Sequence, residues 1–502
     1  MRDRVFSKMT SQTDDFAVLI TAQQAWPEME RAVLAARSRI TASFRIFNFA
    51  TRLRSPEALD IGKTWADLIL HVLARGVSFR LVLSDFDRIV GRPLHEMTQK
   101  SLKQAAGMRE ILSHDARERF EVISSLHPAQ AGTIPRLALL PFLLRKARHG
   151  AQRLNPARLT RPAVGVDPRE VPDIHTVTHH QKIAVIDGEI LFIGGLDLNE
   201  RRFDTPSHDQ PSRQTWMDVQ IMMRGAAATE AARHIDGFLD QITGEVVPPE
   251  SKLIRRTLSA PRKFGFWALS PQTVLREIEE DYIHAFETAH QFLYLETQYF
   301  RSTILARALA RAARRNPDLR VILVLPALPD DVAFGRSFDL DAKYGMALQS
   351  DCTNRIIDAF GERLCIASPV QKRLAAREAA SVLAGSPIIY VHSKVLIKDD
   401  SMALVGSANM NGRSMRWDTE AALRLDEKTQ VSQLWHAINE HWWTAPPSEA
   451  RAVGTAAEWW CREVARNTVR QPESRSGFLV SHDPYNMSDH NQPLPGVTEN
   501  VV

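Results

Sequence analysis

The chain has few cysteines, no long apolar run and little net charge, and each absence argues against a class of protein. Three cysteines in 502 residues are too few for a disulfide scaffold, so a reducing compartment is expected. We find no run of about eighteen apolar residues and no secretory signal pattern, which predicts a cytoplasmic or peripheral membrane protein without a transmembrane segment. A formal net charge of +4 offers nucleic acid little electrostatic attraction.

An internal repeat organises the chain. The first half reads as helix PEMERAVLAARSR, strand ASFRIFNFA, helix TWADLILHVLARG and strand VSFRLVLSD, and the second as helix PQTVLREIEEDYIHAFETAH, strand QFLYLETQYF, helix ILARALARAARR and strand LRVILVLPA. Each half then reaches a His-x-Lys hairpin, a strand that begins near a tryptophan, and a last helix. This alternation predicts an α/β fold of two similar α-β-α sandwich domains with a site at their interface.

Composition suggests where the repeats begin and end. We expect the first repeat in residues 1–250, the second in 251–445, and a C-terminal helix with an extended tail in 446–502. The boundary is expected in GEVVPPESKLIRRTLSAPRKFGF, which is rich in proline, charge and small residues. The first repeat is the longer one, and its extra residues fit an insertion near 127–175.

The insertion has two interpretations. An apolar run at 137–144 is followed by a basic cluster of Arg145, Lys146, Arg148, Arg153, Arg158 and Arg161. Apolar residues beside cations suit the anionic surface of a membrane, so residues 134–161 could bind one. The commoner alternative is a helix packed on the domain, with a solvated basic tail.

The two hairpins share one pattern of chemistry-bearing residues. His180-x-Lys182-x4-Asp187 in the first half matches His392-x-Lys394-x4-Asp399 in the second. Side chains at positions i and i+2 of a strand face the same side, so each histidine projects together with its lysine. A single copy could arise by chance, whereas two copies at corresponding places in a repeat indicate a function.

A two-residue turn at each aspartate would set the register of these hairpins. Each histidine would then lie opposite a small residue and leave room for a ligand. The pairs predicted in this way are His180 with Gly195 and His392 with Ser407. Asp187 and Asp399 would lie in the turns, where a structural role is expected rather than contact with a substrate.

Two lysines and two histidines together suit phosphoryl chemistry. Lysine ammonium groups hold phosphate, and a histidine with a pKa near neutrality can be a nucleophile or a proton carrier. One histidine could attack phosphorus while the other protonates the departing oxygen and then activates water. The two halves would then face each other across a shared cleft. No cluster with the spacing of metal ligands is evident, so no metal is expected.

These residues resemble the signature of the phospholipase D superfamily, the duplicated H-x-K-x4-D motif. The resemblance covers roughly residues 15–445, and HHQKIAVIDGEILFIGGLDLNERRFDT with LYLETQYF is similar to the phosphatidylcholine-cleaving branch. It implies a phosphohistidine intermediate, with His180 as the nucleophile and His392 as the general acid and base. It also implies chemistry that needs no metal or other cofactor.

The resemblance extends to small and acidic residues. The family pattern G-S-x-N is present at Gly406, Ser407 and Asn409, whereas the first half has Gly195 and Asp197 in place of the serine and asparagine. Downstream acidic residues, Glu420 and Asp218, are expected to orient the histidines, fixing a tautomer and raising a pKa. The candidate catalytic set, with the signature aspartates included, is His180, Lys182, His392, Lys394, Asp187, Asp399, Glu420 and Asp218. The candidate substrate-binding set is Gly195, Asp197, Ser407, Asn409, Asn199 and Asn411.

Several neighbouring residues also have structural interpretations. His179 should face away from the site as a core histidine. Asn199 and Asn411 could cap helices or turns instead of contacting the cleft. Glu296 and Gln298 could form buried hydrogen bonds rather than bind substrate. The tryptophans Trp442, Trp443, Trp459 and Trp460 are expected in the core.

Three functions fit the site. A phospholipase D would release phosphatidic acid and the headgroup, with an alcohol able to replace water. A phosphatidyltransferase of the cardiolipin synthase type would use the alcohol, although its usual bacterial form has N-terminal membrane spans. A nuclease or other phosphodiesterase is disfavoured by the near-neutral charge and by the presence of both motifs in one chain. The expected partner is therefore a phospholipid at a membrane surface and not nucleic acid, and a monomer is expected.

Overall fold

The computed structural model describes residues 15–152, 173–335, 340–483 and 499. The first repeat forms β1 (Phe16–Ile20), α1 (Thr21–Leu34), β2 (Arg39–Phe44), α2 (Pro56–Leu59), α3 (Trp65–Ala74), β3 (Ser78–Ser84), α4 (Arg92–Ile111), α5 (His114–Glu118), β4 (Phe120–Ser125), α6 (Thr133–Gln152), β5 (Ile183–Ile186), β6 (Ile190–Gly194), β7 (Val219–Arg224) and α7 (Ala226–Gln241).

The second repeat follows the same plan with several additions. It forms β8 (Ile254–Ala260), β9 (Gln272–Arg276), α8 (Glu277–Thr288), β10 (Phe292–Glu296), α9 (Thr303–Arg315), β11 (Arg320–Val324), α10 (Asp330–Phe334), α11 (Leu340–Phe360), β12 (Leu364–Pro369), β13 (Val382–Leu383), β14 (Ser386–Pro387), β15 (Val395–Lys398), β16 (Met402–Gly406), α12 (Gly412–Arg416), β17 (Glu420–Leu425), α13 (Lys428–Trp442), α14 (Ala456–Val469) and β18 (Leu479–Ser481).

Strand order demonstrates the internal repeat. The first sheet runs β1-β7-β6-β5-β2-β3-β4, and the second contains the same sequence of roles as β8-β17-β16-β15-β10-β11-β12. The second sheet adds β9 at one edge and β18 at the other. In both, the hairpin that carries the His-x-Lys motif lies at the centre, so its side chains are held by strands on both sides. The prediction of a repeated α/β fold is confirmed.

The two sheets share a core. Alternation along β5 sends Ile183 and Val185 into a buried cluster that also contains Val395 and Val405 of the second sheet, together with parts of α7 and α13. The opposite face of the first sheet packs on α1, α3 and α4. The corresponding face of the second sheet packs on α8, α9 and α11. The described helices include none long and apolar enough to cross a bilayer.

The predicted hairpin turns are wrong by one residue. Ile186 pairs with Ile190, and Lys398 with Met402, so each turn has three residues instead of two. The first turn residue has a left-handed backbone in both hairpins, with φ of 55° at Asp187 and 49° at Asp399. A shift of one residue breaks the predicted pairing of each histidine with a small residue.

The structure corrects three further details. Residues Ile254–Ala260, which the composition assigned to a linker, form strand β8 next to β17. Gln272–Arg276, expected to begin a helix, form strand β9. The segment after Arg470, expected as an extended tail, contributes β18 to the edge of the second sheet. Of the basic cluster, Arg153, Arg158 and Arg161 lie outside the described residues.

Candidate active site

Each histidine segment pairs with a segment of the other repeat. The backbone N–H of His180 donates to the carbonyl of Thr419 at 2.8 Å, and that of His392 donates to the carbonyl of Met217 at 2.8 Å. Both contacts belong to short parallel bridges between the repeats. Each bridge therefore places a histidine of one repeat beside the start of a strand of the other repeat. That strand start carries an acidic residue.

The carboxylates are accordingly exchanged between the repeats. Nδ1 of His180 lies 3.0 and 3.1 Å from the carboxylate oxygens of Glu420, and we call these two residues the His180 pair. Nδ1 of His392 lies 2.7 Å from Oδ2 of Asp218, and these form the His392 pair. An ionised carboxylate can only accept, so an imidazole that faces one in that form carries its proton on Nδ1. The lone pair of Nε2 then remains for chemistry.

The two lysines occupy equivalent buried positions. Nζ of Lys182 donates to the carbonyl of His180, and Nζ of Lys394 donates to the carbonyl of His392. Both side chains are almost fully buried. The positive charges of both lysines act on both imidazoles, which brings the two motifs together in one electrostatic environment.

Burial sets the protonation of this site. It lowers the pKa of both histidines well below the usual value, and the two lysines act in the same direction. It raises the pKa of Glu420 to about 8 and that of Asp218 to about 7, and lowers the pKa of Lys394 to about 7. Charged forms are thus disfavoured throughout, and a bound anion would favour the cationic forms of the lysines and imidazoles again.

The small residues near the histidines accommodate the carboxylates rather than a ligand. A Cβ added to Gly195 would lie 2.3 Å from Oδ1 of Asp218, so the glycine lets that carboxylate approach. At the corresponding place in the second repeat, the hydroxyl of Ser407 donates to Oε2 of Glu420. The carbonyl of Ser407 also lies 3.2 Å from Nδ1 of His180. The prediction that these positions leave room for substrate is therefore wrong.

Asp197 and Asn409 lie near the site but differ in their contacts. Asp197 is buried, accepts from the backbone N–H of Ile46 at 2.9 Å, and its charge opposes the lowering of the pKa of Lys182 by burial. Asn409 is also buried, and its Oδ1 has no hydrogen-bond partner among the described residues. Asp197 thus has a partner within the protein, whereas Oδ1 of Asn409 has none among the described residues.

Asn199 and Asn411 of the predicted substrate-binding set have structural roles. The side chain of Asn199 caps a short 3-10 turn by accepting from the N–H of Arg201, and that of Asn411 caps α12 by accepting from the N–H of Ser414. Of the two predicted roles, capping and contact with the cleft, the structure shows capping. The assignment of these asparagines to substrate binding is therefore corrected.

The signature aspartates hold the backbone at the far end of each hairpin. The carboxylate of Asp187 accepts from the N–H groups of residues 37–39, and that of Asp399 from those of residues 290–292. Lys182 and Asp187 are five positions apart, at opposite ends of strand Ile183–Ile186, which is roughly 16 Å. Their inclusion in the catalytic set is therefore corrected, while the structural role expected from the turn is confirmed.

The remaining structural interpretations hold. His179 is buried with both ring nitrogens bonded, Nδ1 to Thr419 Oγ1 and Nε2 to Ser125 Oγ. Glu296 accepts from Tyr294 and Ser393 inside the core, and Gln298 donates to the hydroxyl of Tyr390. The four tryptophans, Trp442, Trp443, Trp459 and Trp460, belong to one buried cluster.

Sequence reasoning missed an aromatic and several cationic neighbours of the site. The ring of Trp216 lies against His392 with centroids 4.5 Å apart, and the guanidinium of Arg202 lies 3.7 Å above the Trp216 ring. The charges of Arg45 and Arg413 act on His180. Trp216 could have been predicted near the site, because it lies two residues before Asp218. No sequence pattern marks the arginines.

Comparisons with known proteins agree with this architecture. A family model described as "Cardiolipin synthase, PLD-like domain" matches residues 282–442. Phospholipase D1 of Schizosaccharomyces pombe is 26% identical over 328 residues, covering 47% of this chain and 24% of that protein. Phospholipase D A of Dictyostelium discoideum is 26% identical over 336 residues, covering 52% of this chain and 25% of that protein. The chain thus corresponds to about a quarter of the length of these two relatives.

A solved structure shows the same fold. The crystal structure of phosphatidylserine synthase from Haemophilus influenzae Rd KW20 superposes with a TM-score of 0.53 at 13% identity, covering 98% of this chain and 92% of that one. Repeated sheets and exchanged histidine–carboxylate pairs define a two-repeat α/β enzyme with one composite site. The family model and the phospholipase D relatives together support a relationship of this chain to the phospholipase D superfamily, whose enzymes are phosphodiesterases or phosphatidyltransferases.

Proposed function

We propose that this enzyme is a phospholipase D, which cleaves the headgroup phosphodiester of a glycerophospholipid through a phosphohistidine intermediate. The observation that carries the proposal is the pair of imidazoles whose Nδ1 atoms are held by carboxylates of the opposite repeat. Such an arrangement leaves two Nε2 atoms for one phosphorus, one to attack and one to move a proton.

In the first step, Nε2 of neutral His180 attacks phosphorus and the bond from phosphorus to the headgroup oxygen breaks. Nε2–H of protonated His392 donates its proton to that oxygen, so the headgroup leaves as a neutral alcohol group. Asp218 at 2.7 Å stabilises the imidazolium before the transfer. Lys182 and Lys394 stabilise the negative charge on the phosphoryl oxygens.

In the second step, neutral His392 takes a proton from water, and the water oxygen attacks phosphorus. The bond from phosphorus to Nε2 of His180 breaks, which releases phosphatidic acid and returns both histidines to their starting protonation. Glu420 keeps the ring of His180 in place through both steps. An alcohol in place of water would give a phosphatidyl alcohol by the same route.

A phosphatidyltransferase is the second candidate. Two comparisons favour it: the matching family model carries cardiolipin synthase in its description, and the structural neighbour is a phosphatidylserine synthase. Both candidates share the first step and differ only in the acceptor of the second. The choice between them therefore depends on whether water or an alcohol reaches the phosphoenzyme faster.

Product analysis tests the proposal. The enzyme is given a mixed phospholipid panel with and without glycerol, and the products are identified by mass spectrometry. We expect phosphatidic acid without glycerol and partial diversion to phosphatidylglycerol with it. His114→Asn, at an exposed histidine, serves as the matched control for His180→Asn. Turnover only when an alcohol is present would favour the transferase, and no product from any phospholipid would contradict both candidates.

A further inference from the structure

A loop between β8 and β9 exposes three aromatic side chains. We call residues 261–271, with the sequence PRKFGFWALSP, the aromatic loop. The exposed fractions are 96% for Phe264, 53% for Phe266 and 76% for Trp267. Aromatic side chains this exposed are uncommon on a surface that meets only water, and they suggest that something covers them.

The base of the aromatic loop is firmly held. Backbone N–H groups of Gly132 and Ile134 donate to the carbonyls of Ala268 and Phe266, at 2.7 and 3.2 Å. A Cβ on Gly132 would lie 2.0 Å from the carbonyl oxygen of Gly265, so the two backbones touch. The loop therefore presents its aromatic side chains from a fixed base.

The surroundings of the aromatic loop are apolar and cationic. Helix α6, which begins at this contact, exposes Leu137 and Leu139 by 47% and 37%. Arg262 and Lys263 are exposed on the loop itself, and the guanidinium of Arg262 donates to the carbonyl of Ser270. Aromatic and aliphatic side chains beside cations match a bilayer interface, where rings lie at the headgroup level and cations meet anionic lipids.

The aromatic loop is also connected to the active site. Thr176 donates to the carbonyl of Leu269 in the loop at 3.4 Å. Four residues later the chain reaches His180, after the N–H of Thr178 donates to Asp418 at 2.9 Å. The loop thus contacts the chain four residues before His180, which suits it to bring the site to its substrate.

We propose that the aromatic loop, with the exposed start of α6, docks on an anionic phospholipid bilayer. This inference rests on the proposed function, because it names the surface at which the same site meets its lipid. The proposed contact keeps the start of the 134–161 segment, at Leu137 and Leu139, but centres on aromatic side chains of the second repeat rather than on the basic cluster. Composition alone predicts that residues 261–266 belong to the boundary between the repeats.

Vesicle co-sedimentation tests the proposal with matched double variants. Phe264→Ser with Trp267→Ser removes exposed apolar side chains from the loop. Ile111→Ser with Val469→Ser removes exposed apolar side chains elsewhere, Val469 lying on α14 beside the opposite edge of the sheet. We expect the loop variant to bind vesicles of phosphatidylcholine and phosphatidylglycerol at least about tenfold more weakly than the unaltered enzyme. The control should bind like the unaltered enzyme. Equal binding by both variants would overturn the proposal.

Two further measurements separate this proposal from the proposed function. Lys263→Ala should weaken binding about fivefold on vesicles that contain phosphatidylglycerol and little on pure phosphatidylcholine. Hydrolysis of soluble bis-p-nitrophenyl phosphate should be unchanged in the loop variant, because the catalytic residues are intact. If the loop variant loses hydrolysis of the soluble diester together with vesicle binding, the docking role is overturned. A chain that binds vesicles through the loop but cleaves no phosphodiester would instead contradict the proposed function alone.

Discussion

The His180 pair and the His392 pair both join an imidazole to a carboxylate, but the other contacts of the two imidazoles differ. Nδ1 of His180 faces a carboxylate and also the carbonyl of Ser407, an acceptor that cannot donate. Nδ1 of His392 faces the carboxylate of Asp218 at 2.7 Å, and its ring lies against Trp216. The first arrangement fixes a neutral tautomer, and the second stabilises a cation.

This difference supports a division of labour. A nucleophile needs a lone pair that is always available on Nε2, which the carbonyl of Ser407 helps to secure at His180. A general acid needs to carry a second proton for part of the cycle, which the close carboxylate of Asp218 favours at His392. The glycine at 195 belongs to the second arrangement, because only a residue without Cβ lets Asp218 come so near.

The largest effect is expected on removing either imidazole. His180→Asn and His392→Asn should each lower turnover of a phospholipid by about a thousandfold or more, because the two residues act as a unit. The measurement is the initial rate on vesicles, with His114→Asn as the exposed control. More than about a tenth of the activity remaining in either variant would contradict the assigned roles.

The orienting carboxylates should differ in importance. Asp218→Asn removes the sole carboxylate seen at Nδ1 of His392 among the described residues and should lower kcat by about a thousandfold. Glu420→Gln leaves the carbonyl of Ser407 at His180 and should cost about ten- to a hundredfold. The control is Asp115→Asn on the surface. Equal losses in kcat for the two variants would remove the distinction between the pairs.

Exchanging the small residues tests the same asymmetry. Gly195→Ser should displace Asp218 and lower kcat by about a hundredfold, whereas Ser407→Gly should cost about tenfold since Glu420 remains beside His180. Gly107→Ser, where an added Cβ meets nothing within 4 Å, is the matched control. Full activity in Gly195→Ser would mean that Asp218 does not need its observed position.

Anion binding should weaken as pH rises. Lys394, with a pKa of about 7, loses its charge above that pH, and Asp218, also near 7, gains a negative charge over the same range. Both changes disfavour an anion, so sulfate should bind about tenfold more weakly at pH 8 than at pH 6. Calorimetry at these pH values measures it, with Lys394→Met expected to flatten the dependence. Tighter binding at the higher pH would contradict these assignments.

The turn aspartates should affect stability rather than turnover. Asp187→Ala removes a carboxylate that accepts from three backbone N–H groups and should destabilise the fold by about 1–3 kcal/mol, while kcat changes little. Burial would raise the pKa of Asp187, but these N–H groups outweigh it and lower that pKa. The stabilisation is therefore present above the unfolded pKa, near 4, and is lost as pH falls through the lower folded value. Thermal unfolding of this variant and of Asp115→Ala as control, at neutral and acidic pH, tests the prediction.

The sequence predicted features that depend on local pattern. The duplication correctly indicated a repeated fold. The common face expected for each histidine and its lysine stays a prediction, because Lys182 and Lys394 lie just before strands β5 and β15. The exchange of carboxylates could not be predicted, because along the chain Asp218 follows His180 and Glu420 follows His392. Only the docking of the repeats reverses these partners.

The mistakes arose where distant backbone determines local structure. The three-residue turn at Asp187 is held by N–H groups of residues 37–39, which donate to its carboxylate and lie far away in sequence. The aromatic loop lies in and beside a segment that composition assigned to a linker. The proposed role of the loop depends on the exposure of its side chains and on its contact with Gly132. Neither can be predicted from a short stretch of sequence.

The most direct test of the central claim is to identify the residue that carries the covalent intermediate. The His392→Asn enzyme is mixed with a diester that has a p-nitrophenol leaving group, which departs without help from an acid, and is quenched and digested under alkaline conditions. We expect mass spectrometry to find the phosphoryl group on the peptide that contains His180, and His180→Asn to give none. A phosphoryl group on the peptide that contains residue 392, or on neither peptide, would contradict the account.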